Sequence, residues 1–157
     1  MTQTHAERLS RFGVAFSSGA KPYAAAVLVC ASCVALAGPA DDVVGRWKLI
    51  SHTVNAAGQF FDSQAALLQQ RPCAAAIIYA IDADQSFRLD ASASACDEKY
   101  KKTQERLYAK TKWRMAGDRI TTSSTDFAVG QTYTVTLAGQ RMTWVGTEGQ
   151  GTMVFEK

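Results

Sequence analysis

The chain has 157 residues, 47% of them hydrophobic and 20% charged, which suits one globular domain, alone or behind a processed leader. Its formal charge of +3 is unevenly placed: without Arg8, Arg11, Lys21 and the acid Glu7 of the front end, the 17 basic and 14 acidic residues become 14 and 13. A near-neutral body argues against nucleic acid as the main partner, because phosphate recognition needs a clustered basic surface.

The polar, net-positive stretch from Met1 to Lys21 is followed by an uncharged apolar run, Tyr23 to Ala37, and then by small residues. These are the three parts of a secretory signal. Residues 1–37 therefore read as a signal helix, cleaved after Ala37 (Ala35-Leu36-Ala37) or after Ala40 (Gly38-Pro39-Ala40), ahead of a domain over 41–157. The run is 15 residues long, short of the roughly 20 that a spanning helix needs. An uncleaved anchor over 23–37 is the alternative and the one expected route to a membrane; otherwise the location is periplasmic or secreted.

Cys30-Ala31-Ser32-Cys33 has the spacing of a redox or metal pair. It lies inside the apolar run with no His, Trp or Pro beside it, and reads as two small apolar residues; neither cysteine sits in a good lipobox. Of 4 cysteines, Cys73 and Cys96 remain after the leader is removed. Two lone cysteines in an oxidising compartment are expected to pair.

In the body, Val43 to Val54 alternates as a strand, with Trp47, Leu49 and Ser51 on one face and Arg46, Lys48 and His52 on the other. Asn55 to Gly58 is a turn, and Gln64 to Gln70 a short helical turn stopped near Pro72. Ala74 to Ile81 and Ser86 to Leu89 form a hairpin about Asp82 to Gln85. Asp97 to Lys110 is ambiguous: its composition favours a helix. Lys110 to Met115, Arg119 to Ser124, Gln131 to Leu137, Arg141 to Thr147 and Thr152 to Lys157 then make an antiparallel meander with Gly-containing connections. About seven or eight strands with no helix long enough to cover a sheet must close into a barrel or fold as a sandwich.

Val44-Gly45-Arg46-Trp47-Lys48-Leu49 resembles the opening Gly-x-Trp strand of the bacterial lipocalin-like domains. Cys73 ahead of the hairpin, Cys96-Asp97, the strand-turn-strand Lys112 to Ile120, and the closing segments Tyr133 to Leu137, Met142 to Trp144, Gly146-Thr147 and Phe155 to Lys157 are similar to that family in the same order. The resemblance implies an all-β, antiparallel up-and-down barrel, and a strand and loop over 97–110, which we adopt as the expectation. Two positions depart from the family: Gln85 where the hairpin turn usually has Gly, and Thr111 where a glycine usually precedes the tryptophan.

Carried over, the resemblance puts Trp47 at the closed end of the barrel with Arg141 or Lys157 as the cation over its ring. Trp47, Leu49, Tyr133, Val135, Met142, Trp144, Met153 and Phe155 would line or fill the interior, where a small apolar ligand is the expected partner. Asp82 and Asp84 read as turn carboxylates rather than metal ligands. The bases from Lys99 to Arg114, diluted by Asp97, Glu98 and Glu105, read as a solvated face. His52, the one histidine of the body, has no nucleophile or ligand spacing beside it, so neither catalysis, metal nor cofactor is expected. The rival expectation is a protein-interaction or inhibitor barrel without a cavity.

Overall fold

The computed structural model describes residues 39–147 and 149–157; the leader expected over 1–37 lies outside them. The chain folds as an antiparallel, nearly closed β-barrel. A short helix, α1 (Pro39–Val43), leads into the long strand β1 (Gly45–Ala56), whose end turns back as β2 (Gln59–Asp62). Helix α2 (Ser63–Gln70) and a 3-10 turn over Pro72–Ala76 precede the hairpin β3 (Ile78–Ile81) and β4 (Phe87–Asp90). Helix α3 (Glu98–Leu107) separates it from the meander β5 (Lys112–Ala116), β6 (Arg119–Ser123), β7 (Gln131–Ala138), β8 (Arg141–Gly146) and β9 (Thr152–Glu156).

The strands run in the order β4-β3-β1-β9-β8-β7-β6-β5, with β2 paired to the outer half of β1. Every strand around the wall is thus beside its neighbour in sequence, and β9 returns to β1. The remaining seam, β4 against β5, is stitched at one end only. There Ser86 bridges Lys112, Phe87 N donates to Thr111 O (3.0 Å) and Trp113 N donates to Gln85 O (2.8 Å).

The two ends of the barrel differ in their connections. At the base, β5–β6 and β7–β8 are joined by the two-residue turns Gly117-Asp118 and Gly139-Gln140. The β3–β4 turn also lies there, and Gln85 takes φ 66°, the conformation a glycine would adopt without strain. Gln85, where the resemblance leads one to expect glycine, thus holds a strained backbone conformation. All the helices after α1 sit in connections at the other end, the mouth.

Three expectations needed correction. Residues 97–110 hold helix α3, not a strand and loop, so the helical composition prevailed. Asp97 caps the helix by accepting from Tyr100 N (2.9 Å) and pairs with Arg71, whose guanidinium lies 4.1 Å from the Tyr100 ring. Residues 74–77 are not strand: Pro72 opens a 3-10 turn in which Ala74 N donates to Arg71 O (3.0 Å) and Ile77 N to Ala74 O (3.1 Å). Finally, the register of β1 against β9 shifts between Leu49 and Ser51, a bulge at Ile50. Beyond it Ser51 pairs with Val154 and His52 with Met153, so His52 shares the inner face and Ser51 the outer one, the reverse of simple alternation.

The core has two parts. The main cluster packs inside the barrel and includes Trp47, Ile81, Phe87, Trp113, Ile120, Tyr133, Met142, Trp144 and Phe155. A smaller cluster of Ala74, Ile77, Leu89, Ala91 and Cys96 lies under the mouth connections. Cys73 and Cys96 are bonded there, 5.1 Å apart at Cα. The bridge ties the connection carrying α2 to the one carrying α3.

Outside the wall, Asp90 accepts from the Ser92 hydroxyl (2.6 Å) and amide (3.0 Å), and pairs with Arg46. The Ser92 hydroxyl, then Arg46, hold its carboxyl down to about 2. A depressed carboxylate stabilises the fold above its unfolded value of 3.8, and that contribution is lost as pH falls through about 2. The thermal midpoint is expected to drop between about pH 4 and pH 2, and to drop less in Asp90→Asn. Arg46 is 60% exposed, so its share is below about 1 kcal/mol. Equal acid sensitivity of variant and parent would contradict this assignment.

Candidate functional site

The base is sealed by side chains. Trp47 is fully buried, its indole Nε1 donating to Val43 O (2.8 Å), and Lys157 Nζ lies 4.5 Å from the centre of its rings. Of the two expected cations, then, Lys157 covers Trp47, while Arg141 pairs with Glu156 across β8 and β9. Gly45 stands beside this contact at φ 151°, a backbone conformation that side-chain-bearing residues rarely adopt, and a Cβ there would also press on Lys157 Cε at 3.0 Å. Trp113 closes the neighbouring sector by donating from Nε1 to Asp82 O (3.0 Å).

The upper half of the barrel is not filled. A cavity of about 280 Å³ opens toward the mouth. Its walls are the rings of Tyr79, Phe87, Tyr108, Tyr133 and Trp144, with Leu49 and Met153, and its polar rim is His52, Thr122, Gln131 and Gln150. Trp144 is the hub of the rings, with Phe87, Tyr133 and Phe155 at 5.7, 5.4 and 5.1 Å between centroids. These spacings lie in the range where aromatic pairs attract beyond their buried area.

The eight interior residues expected from sequence thus divide into two sets. Leu49, Tyr133, Trp144 and Met153 line the cavity; Trp47, Val135, Met142 and Phe155 are packed in the core. Sequence reasoning missed Tyr79, Phe87 and Tyr108, and it placed His52 on the wrong face. Tyr79 and Phe87 were within reach, since both stand in hairpin segments already identified. Tyr108 follows α3 and was hidden by the strand-and-loop expectation.

The cavity is electrically quiet. Burial pushes the Tyr133 hydroxyl up to about 12, with Tyr108 adding to the shift, and burial also raises Tyr79 and Tyr108. Among the described residues, no Asp, Glu, Lys or Arg lines it. His52 is held on both sides: Nε2 lies 3.3 Å from Gln150 O and Nδ1 3.1 Å from Ser63 Oγ. Tyr133 donates its hydroxyl to Gln131 Oε1 (3.0 Å).

An open groove of about 380 Å³ approaches the cavity from outside, between the end of α3 and the loop before β7. It shares Tyr108, Thr122 and Gln131 with the cavity, and exposed Leu107 and Val129 stand on its rim.

The other candidates resolve into structural roles. Asp82 pairs with Arg88, and Asp84 accepts from the Ser86 amide and hydroxyl, both at 2.9 Å. The basic positions of α3 and β5 are mostly exposed; Lys101 pairs with Glu98, and the Arg114 guanidinium lies 4.7 Å from the Phe127 ring. Compared with protein-family models, with curated proteins and with solved structures, the chain matches none, so what the site does is argued from its own residues.

Proposed function

We propose that the protein is an exported barrel of the lipocalin-like type that holds a small, largely apolar ligand in its mouth cavity. The observation that carries this reading is the aromatic-walled space of about 280 Å³ above a base fully packed by Trp47 and its neighbours. A pocket with apolar walls and a few polar groups is the usual form of a small-molecule site. Export is supported by the apolar run at 23–37 and by the Cys73–Cys96 bond, which persists in oxidising compartments. Of the two expected cleavage positions, the one after Ala37 leaves α1 whole, whereas the one after Ala40 removes two of its 5 residues. Ala40 packs against the main core, which favours Gly38 as the mature N-terminus. We assign the protein no catalytic step, no cofactor and no nucleic-acid partner.

Native mass spectrometry of the protein purified from its own host tests both parts of the proposal. The expected result is a chain beginning at Gly38, with the disulfide intact, that carries a small non-covalent mass. A clean apo mass together with no uptake of hydrophobic fluorescent probes would overturn the ligand reading. A start at Met1 with Cys73 and Cys96 reduced would overturn export. A protein-interaction role is the second reading, favoured by Phe60 and Phe61, which are 76% and 48% exposed on the β1–β2 hairpin. A co-purifying protein in the same measurement would support it.

A further inference from the structure

Building on the ligand-binding reading above, we infer that the cavity takes a neutral, flat aromatic molecule of one or two rings bearing both a hydrogen-bond acceptor and a donor. Four observations converge on this class. The volume of about 280 Å³ lies just under the roughly 300–1,000 Å³ of pockets for drug-sized ligands, so the part of a guest held inside is about one or two rings in size. The walls are ring faces and edges, which favour a planar guest by offset or edge-on stacking. The described lining residues include no Asp, Glu, Lys or Arg, so an anionic guest would meet no lysine or arginine among them and would be buried at high cost.

The fourth observation sets the polar pattern. Trp144 Nε1 and Gln150 Oε1 are buried with no hydrogen-bond partner among the described residues, and both residues line this cavity. Trp144 itself is 1% exposed. An indole N–H can only donate and an amide oxygen can only accept. Left unmet, each buried group destabilises the site; both atoms are covered in the free protein, so a guest reaches them through a small shift of their side chains, and one that then satisfies both is selected over an apolar molecule of the same shape.

Isothermal titration of the oxidised protein with three bicyclic probes of similar size tests the class: carbostyril (a neutral lactam with acceptor and donor), naphthalene (neither) and naphthoate (anionic). Carbostyril is expected to bind at least about tenfold more tightly than naphthalene, the effect of one net hydrogen bond, with naphthoate weakest. Trp144→Phe and Gln150→Leu should each weaken carbostyril about tenfold and leave naphthalene within about threefold. Gln150 is only partly buried, in the connection between β8 and β9, so its variant reports even if Trp144→Phe folds poorly. Equal binding of naphthalene and carbostyril, or tighter binding of naphthoate or a fatty acid, overturns the inferred class and leaves ligand binding standing. Failure of every probe and of a fatty acid overturns the ligand-binding reading itself.

Discussion

Replacing Trp47 with alanine is expected to cost about 3–5 kcal/mol of stability, the range for truncating a buried aromatic side chain. Trp47 has no exposed surface, bonds Val43 O through Nε1 and carries Lys157 over its face. The substitution therefore opens a cavity at the base, leaves the Val43 carbonyl without its donor and removes a cation–π contact of about 0.5–1 kcal/mol. Against a typical total of about 5–15 kcal/mol, this is enough to unfold a marginal domain. Trp47→Phe retains a ring and loses the N–H, so it should fall well short of that cost. Guanidinium unfolding of the three proteins measures the difference. A loss under about 1 kcal/mol in Trp47→Ala would show that the tryptophan does not close the base.

Removing the bridge, as Cys73→Ala with Cys96→Ala, is expected to cost about 3 kcal/mol, because the crosslink closes a loop with a sequence separation of 23 and so restricts the unfolded chain. The bond also acts at the site. Cys73 lies shortly before β3, which carries Tyr79, and Cys96 shortly before α3, which leads to Tyr108. Both tyrosines pack against the smaller cluster that includes Cys96. Losing the bridge should therefore loosen one wall of the cavity, and a hydrophobic probe should bind more weakly even at temperatures where the variant is folded. Comparing unfolding midpoints and probe affinities of parent and variant separates the two effects. Unchanged affinity in a folded variant would confine the bridge to stability.

The meander from β5 to β9 was legible because alternation and glycine turns agree: Tyr133 and Val135 face inward on β7, and Met142 and Trp144 face inward on β8. The Gly-x-Trp strand was legible for the same reason up to Leu49. Past that point one inserted residue at Ile50 inverts the faces, and no period-two count can announce a bulge. Helix α3 was readable in its own composition, but the resemblance outweighed it. Its cap at Asp97 and the packing of Tyr100 and Tyr108 are tertiary facts that agree with that local preference. The cavity was the least legible feature. The same inward side chains can fill a barrel or leave a space, and only their packing distinguishes the cases.

The seam between β4 and β5 carries one further consequence. Pairing there is confined, among the described residues, to the base end, around Ser86 and Lys112; farther up, the Ala91 amide donates to Glu105 Oε1 of α3 (3.3 Å) in place of a strand partner. The wall is thus weakest along a single line that reaches the mouth beside Tyr108. Local parting of this line could admit or release a guest while the other seven strand contacts of the wall stay intact, so exchange would not require the molecule to unfold.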